Sequence, residues 1–171
     1  MTVRLRLLFL SALLFSGLAG CSHYRIGTGA KLAFGSLRIE PVVMKALIPQ
    51  SQALFTTQLR EVFIRDGRVA LVNTTGEADV TLQVVVHSYA REVATVRPGD
   101  TGLARKFIVT LKADATLHDR RTGRDLFARR PLVVKRELFT DSGQGQAEYQ
   151  LLPLLAADLA DKARHAVLDV W

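Results

Sequence analysis

Residues 36–43 alternate between apolar and polar, with Leu37 and Ile39 on one side, Val42 following a proline, and Pro41 closing the run. A period of two is that of a half-buried strand, and proline ends one because it has no N–H to give the ladder. The period then changes. Leu54 or Phe55, Leu59, Val62 and Phe63 recur at helical spacing, Pro49 suits a first turn, and Asp66-Gly67 supplies the stop, with Arg60, Glu61 and Arg65 on the wetter side. Residues 69–72 form a short apolar run leading toward a sheet, and Asn73-Thr74-Thr75-Gly76 reads as a turn.

Two long alternations follow. The first sets Val80, Leu82, Val84 and Val86 against Thr81, Gln83 and His87; the second sets Phe107, Val109, Leu111, Ala113, Ala115 and Leu117 against Lys106, Thr110, Lys112, Asp114 and Thr116. The turn Asp119-Arg120-Arg121-Thr122-Gly123 joins the second to a segment over residues 124–139 as a hairpin, and Pro131 marks that last strand as an edge or bulged one. The chain closes on a helical stripe of Leu152, Leu155, Ala156, Leu159, Ala160, Ala163, Val167 and Val170, with Pro153 setting either its start or a kink. The order β-α-β-β-β-α, with two amphipathic helices needing one apolar sheet face, predicts an α+β two-layer sandwich: two helices on one face of a four-stranded, mainly antiparallel sheet.

The N-terminal pattern is of another kind. Arg4 and Arg6 precede an apolar run over residues 7–18, too short for a spanning helix and suited to a signal peptide. The run ends in Leu18-Ala19-Gly20-Cys21, which is similar to the lipobox of bacterial lipoproteins, and Cys21 is the single cysteine of the chain. Residues 1–20 are therefore expected to be a signal peptide, Cys21 the lipidated residue, residues 21–35 a lipidated tether, and residues 36–171 one domain. Ser22 after the cysteine suits sorting to the outer membrane. The 171 residues fit one ordinary domain rather than two, and one cysteine excludes a disulfide framework or a cysteine-rich metal site. The formal net charge is +7, of which Arg4 and Arg6 leave with the signal segment. Basic surface calls for an anionic partner, and export makes that partner a lipid or a cell-envelope component rather than nucleic acid.

Catalysis needs a nucleophile, a base and an orienting group together, and no such constellation stands out. His23, His87, His118 and His165 are scattered without metal-ligand spacing, Gly27-Thr28-Gly29-Ala30-Lys31 lacks the spacing of a phosphate loop, and Asp141-Ser142-Gly143 lacks the context of a nucleophile elbow. No enzyme activity, cofactor or metal is expected. The arginines are more informative: Arg120, Arg121 and Arg124 cluster at one hairpin, Arg129 and Arg130 follow, and Arg97, Arg105 and Lys106 surround the other turn. Guanidinium forks suit phosphates, and together these residues could form a phosphate-recognising rim.

In order and spacing the chain resembles the LptE family. The matching stretches are Leu18-Ala19-Gly20-Cys21, Tyr24-Arg25-Ile26-Gly27, residues 58–67, Glu77-Ala78-Asp79-Val80-Thr81-Leu82, residues 117–123 and Leu159-Ala160-Asp161-Lys162-Ala163-Arg164. The resemblance implies the same two-layer fold and a lipoprotein at the outer membrane, anchored there by its lipid. It also implies a role as plug and assembly partner of the LptD β-barrel that delivers lipopolysaccharide to the outer leaflet. A basic residue in the loop between the long strands contacts lipopolysaccharide in that family, and Arg97 holds that place here; Arg120, Arg121 and Arg124 join it as candidates. A second family lysine, before the last helix, has no counterpart within residues 141–146, so Lys135 or Arg136 would have to substitute. The alternative is an outer-membrane lipoprotein that activates a peptidoglycan synthase or scaffolds a secretion channel.

Overall fold

The computed structural model describes residues 32–48, 51–95, 106–140 and 144–169. The elements run β1 (Ser36–Ile39), β2 (Val43–Met44), α1 (Gln52–Asp66), β3 (Ala70–Val72), a 3₁₀ turn (Thr75–Glu77), β4 (Val80–Thr95), β5 (Lys106–Asp119), β6 (Arg124–Phe139) and α2 (Gln144–Leu168). The architecture is the α+β sandwich that the patterns predict. The sheet is larger, however: its order is β3-β1-β4-β5-β6, with β2 also pairing β4. Six strands stand where four are expected, because β2 and β3 have only two and three residues, too few to show a period of their own. β4, β5 and β6 form the antiparallel meander, whereas β1, β2 and β3 pair in parallel.

Alternation decides which face is covered. Val80, Leu82, Val84 and Val86 of β4, and Val109, Leu111, Ala113, Ala115 and Leu117 of β5, are all buried. They meet Phe55, Leu59 and Phe63 of α1 and Leu155, Leu159, Ala163 and Val167 of α2 in one core. Thr110 departs from the pattern: it faces the bare side yet is 7% exposed, in mid-sheet between its ladder partners Ala90 and Lys135. α1 ends where Gly67 takes φ 71° and its N–H reaches the Phe63 carbonyl, 3.1 Å away. Pro153 neither starts nor ends α2, which begins at Gln144; its ring is exposed, and Tyr149 alone loses a helical N–H partner to it. Pro49 and Val170 lie outside the described residues.

β6 is an edge strand, as Pro131 requires. Ala115 pairs Arg130 and Leu117 pairs Phe127, so β6 carries one residue more than β5 between those rungs. Arg129 absorbs the bulge at φ 48°, and its N–H donates to the Thr116 hydroxyl at 3.1 Å. Arg136 of the sheet clamps Asp158 of α2 through two bonds of 2.6 and 2.7 Å, while Arg164 and Arg68 tie Asp66 and Asp169 together where the two helices end. Among the described residues no helix is long and apolar enough to cross a membrane.

Candidate functional site

The candidate residues fall at the two ends of the meander. At one end the β5–β6 hairpin is built around Asp119, whose buried carboxylate accepts the N–H groups of Arg121 (2.8 Å) and Thr122 (3.4 Å). Burial pushes that carboxyl up, but these bonds outweigh it and leave its pKa below the usual carboxylate value. Gly123 closes the turn at φ 66°. The hairpin docks on the strand entrance beside it: the Arg120 N–H donates to the Asp79 carbonyl at 3.0 Å, the Arg120 guanidinium reaches the Ala78 carbonyl at 3.3 Å, and that of Arg121 reaches the Ala33 carbonyl at 3.2 Å. Asp79 completes the latch by accepting the N–H groups of Gly35 (2.8 Å) and Ser36 (3.0 Å), which lower its pKa. Arg120 and Arg121 thus use part of their donor set on backbone, and Arg124 is exposed at the start of β6.

Beside this hairpin, on the face the helices leave bare, lies an open hollow of about 300 Å³. Ladder partners line it in a row, Arg38 on β1, Thr81 on β4 and His118 on β5, with Glu40, Gln83 and Arg120 around them. Glu40 is held by Arg38 (3.1 Å) and Gln83 (3.2 Å).

The other end is where β4 finishes at Thr95 and β5 begins at Lys106. Here cations stand over aromatic rings: the Arg91 guanidinium lies 5.1 Å from the Phe107 centroid and the Lys106 ammonium 5.6 Å from that of Phe139. Lys106 also pairs Glu137 at 2.8 Å, and Arg91 pairs Glu148 of α2. Phe139 is 54% exposed and Val93 is exposed beside Phe107. The result is a tip where basic and apolar side chains lie together.

Arg97 and Cys21 lie outside the described residues, as do the 27–31 glycine segment and Asp141-Ser142-Gly143. The strand ends that flank Arg97, at Thr95 and Lys106, stand thirteen residues along β5 from Asp119, or about 43 Å at the usual rise per residue. Among the described residues the basic candidates are not gathered into one rim: Arg120, Arg121 and Arg124 lie at one end of the meander and Lys106 at the other. Of the two candidates for the second family lysine, Arg136 is committed to Asp158, while Lys135 stays exposed. The histidines in the described residues each face carboxylates: His87 with Asp114 (3.4 Å), His118 with Asp125 (2.8 Å), and His165 with Asp161 and Asp169. The aromatic partners at the Lys106 end were not singled out from the sequence; the signal was there in Phe139, an aromatic next to charged residues where a strand ends.

Residues 34–165 match the family model of LptE, described as lipopolysaccharide assembly. The chain belongs to the LptE family. Within that LptE span lie the whole sheet and most of α2. Solved structures share the fold. A minor lipoprotein of Acinetobacter baumannii gives a TM-score of 0.53 at 20% identity, covering 81% of this chain and 96% of that one. A lipoprotein B of Nitrosomonas europaea gives 0.53 at 18%, covering 85% and 87%. The rare lipoprotein B of Shewanella oneidensis gives 0.50 at 13%, covering 75% and 92%. No curated protein matches the chain.

Proposed function

We propose that this LptE-family chain is a non-enzymatic outer-membrane lipoprotein that assists lipopolysaccharide transport as plug and partner of an LptD-like β-barrel. The observation that carries the reading is the family match over residues 34–165. In this reading residues 1–20 are removed, Cys21 carries the lipid, and residues 21–35 tether the single domain over residues 36–171 to the outer membrane, on the periplasmic side or within the barrel. Two lipid chains anchor firmly where one binds marginally. Three structural features support it. The bare sheet face is polar, as the lumen of a membrane barrel is. The described chain starts at the hairpin end, where Arg121 holds Ala33, away from the strand ends at Thr95 and Lys106. The tip, with Arg91 and Phe139 exposed and Lys106 and Phe107 partly so, stands at those strand ends and suits lipid A, with phosphates for the cations and acyl chains for the rings.

Arg97 is the proposed lipopolysaccharide contact at this tip, and Arg120, Arg121 and Arg124 a separate cationic contact at the hairpin. Affinity purification of the tagged chain from outer membrane tests the partnership. A lipopolysaccharide-transport barrel is the expected co-purifying protein; a peptidoglycan synthase or secretion channel in its place would overturn the reading.

A further inference from the structure

The two halves of β6 treat the open edge of the sheet differently. In the first half two extra residues, together with the left-handed Arg129 and Pro131, interrupt the row of edge groups, devices that keep a foreign strand from pairing. In the second half residues 132–139 pair without a break against β5 from Ala113 to Lys106. Eight residues, about 26 Å, thus keep a regular edge with only charge to guard it. α2 stands alongside and leaves a groove of about 610 Å³, walled by Val133 and Lys135 on β6 and by Asp158, Asp161, Lys162 and His165 on α2. A strand edge facing a helix across a groove is an arrangement in which an extended peptide adds to a sheet: main-chain bonds supply affinity and alternate side chains supply choice.

Charge decides what that peptide carries. Asp158 is occupied by Arg136, and Asp161 by Arg164 and His165, whereas Lys135 and Lys162 have no ion-pair partner among the described residues. Val133, 41% exposed, adds an apolar contact on the bare face. A second copy fits less well, since antiparallel self-pairing centred on Lys135 and Arg136 sets like charges opposite each other. We propose that residues 132–139 of β6, with the adjoining face of α2, form a strand-addition site for an extended segment of a partner protein that mixes apolar and acidic side chains.

The test uses the mature chain in detergent and a fluorescent, capped peptide of Val-Glu repeated four times, read by anisotropy. The acidic peptide binds, and its affinity falls by about tenfold or more when alternate residues are N-methylated, because the added strand then lacks its donors. Lys135→Glu and raised salt each weaken it, and a Val-Lys peptide of the same length does not bind. Val133→Pro removes an edge N–H but risks the fold; the N-methylated peptide asks the same question without altering the protein. Equal affinity for the methylated peptide, no binding of the acidic one, or a mature chain that dimerises through β6 would overturn the proposal. None of these readouts involves lipopolysaccharide, so their failure is distinct from failure of the proposed function.

Discussion

Leu111 is the position at which the core account is most exposed to test. Its side chain is 0% exposed, between the ladder partners Tyr89 and Val134 on the face that meets the helices. Leu111→Ala removes three buried carbons, about 2.4 kcal/mol at ~0.8 kcal/mol each. Residual cavity adds to this, because strands paired on both sides cannot close in, so a total of about 3–4 kcal/mol is expected. For a domain whose whole stability is of the order of 5–15 kcal/mol, that corresponds to a fall in Tm of roughly 10 °C. The control is the next residue: Lys112 is exposed on the bare face, and Lys112→Ala should stay within about 0.5 kcal/mol. Denaturant unfolding of the mature chain, followed by circular dichroism with the slope held common, measures both. Equal losses at the two positions would refute the assigned face, since a slip of one residue exchanges the faces of the whole strand.

The Asp79 latch makes stability depend on acid: its pKa is lowered in the fold, so its contribution is fully present above the ordinary carboxylate value near 4 and is lost as pH falls through the depressed one. Tm should hold from pH 7 to about 5 and then fall, and Asp79→Ala should flatten that fall. Gly123→Ala meets open space but must hold φ 66°, so it should cost about 1 kcal/mol of strain in the same unfolding assay. Cys21→Ala should abolish incorporation of radioactive fatty acid; label retained at the wild-type level would remove the lipoprotein reading.

Legibility followed the length of the pattern. Val80 to Val86 and Val109 to Leu117 repeat their period often enough to fix both strand and face, and α1 shows in the spacing of Phe55, Leu59 and Phe63 and ends at Gly67, which supplies the left-handed residue. β3 shows only as the apolar run at residues 69–72 and β2 not at all, because two or three residues carry no period; both exist through pairing, β3 with β1 and β2 with β4. Thr110 reads as outward and is so, yet neighbouring strands cover it, a tertiary effect that alternation does not encode. The arginine spacing carries no sign of the meander: successive turns of long antiparallel strands lie at opposite ends, which parts Arg120, Arg121 and Arg124 from the strand ends at Thr95 and Lys106. The Arg129 bulge was legible only as Pro131, one residue class that an unbroken central strand would not tolerate.

The most direct test of the central claim is binding of the mature chain to purified lipopolysaccharide, titrated against salt, for the wild type, Arg97→Ala and Arg97→Glu. Guanidinium–phosphate contacts at an exposed tip weaken with salt, because charges there are screened within about 10 Å at 0.1 M. Affinity should therefore fall as salt rises, and Arg97→Glu should lower it more than Arg97→Ala, since repulsion adds to the lost contact. An affinity indifferent both to salt and to Arg97→Glu would contradict the account.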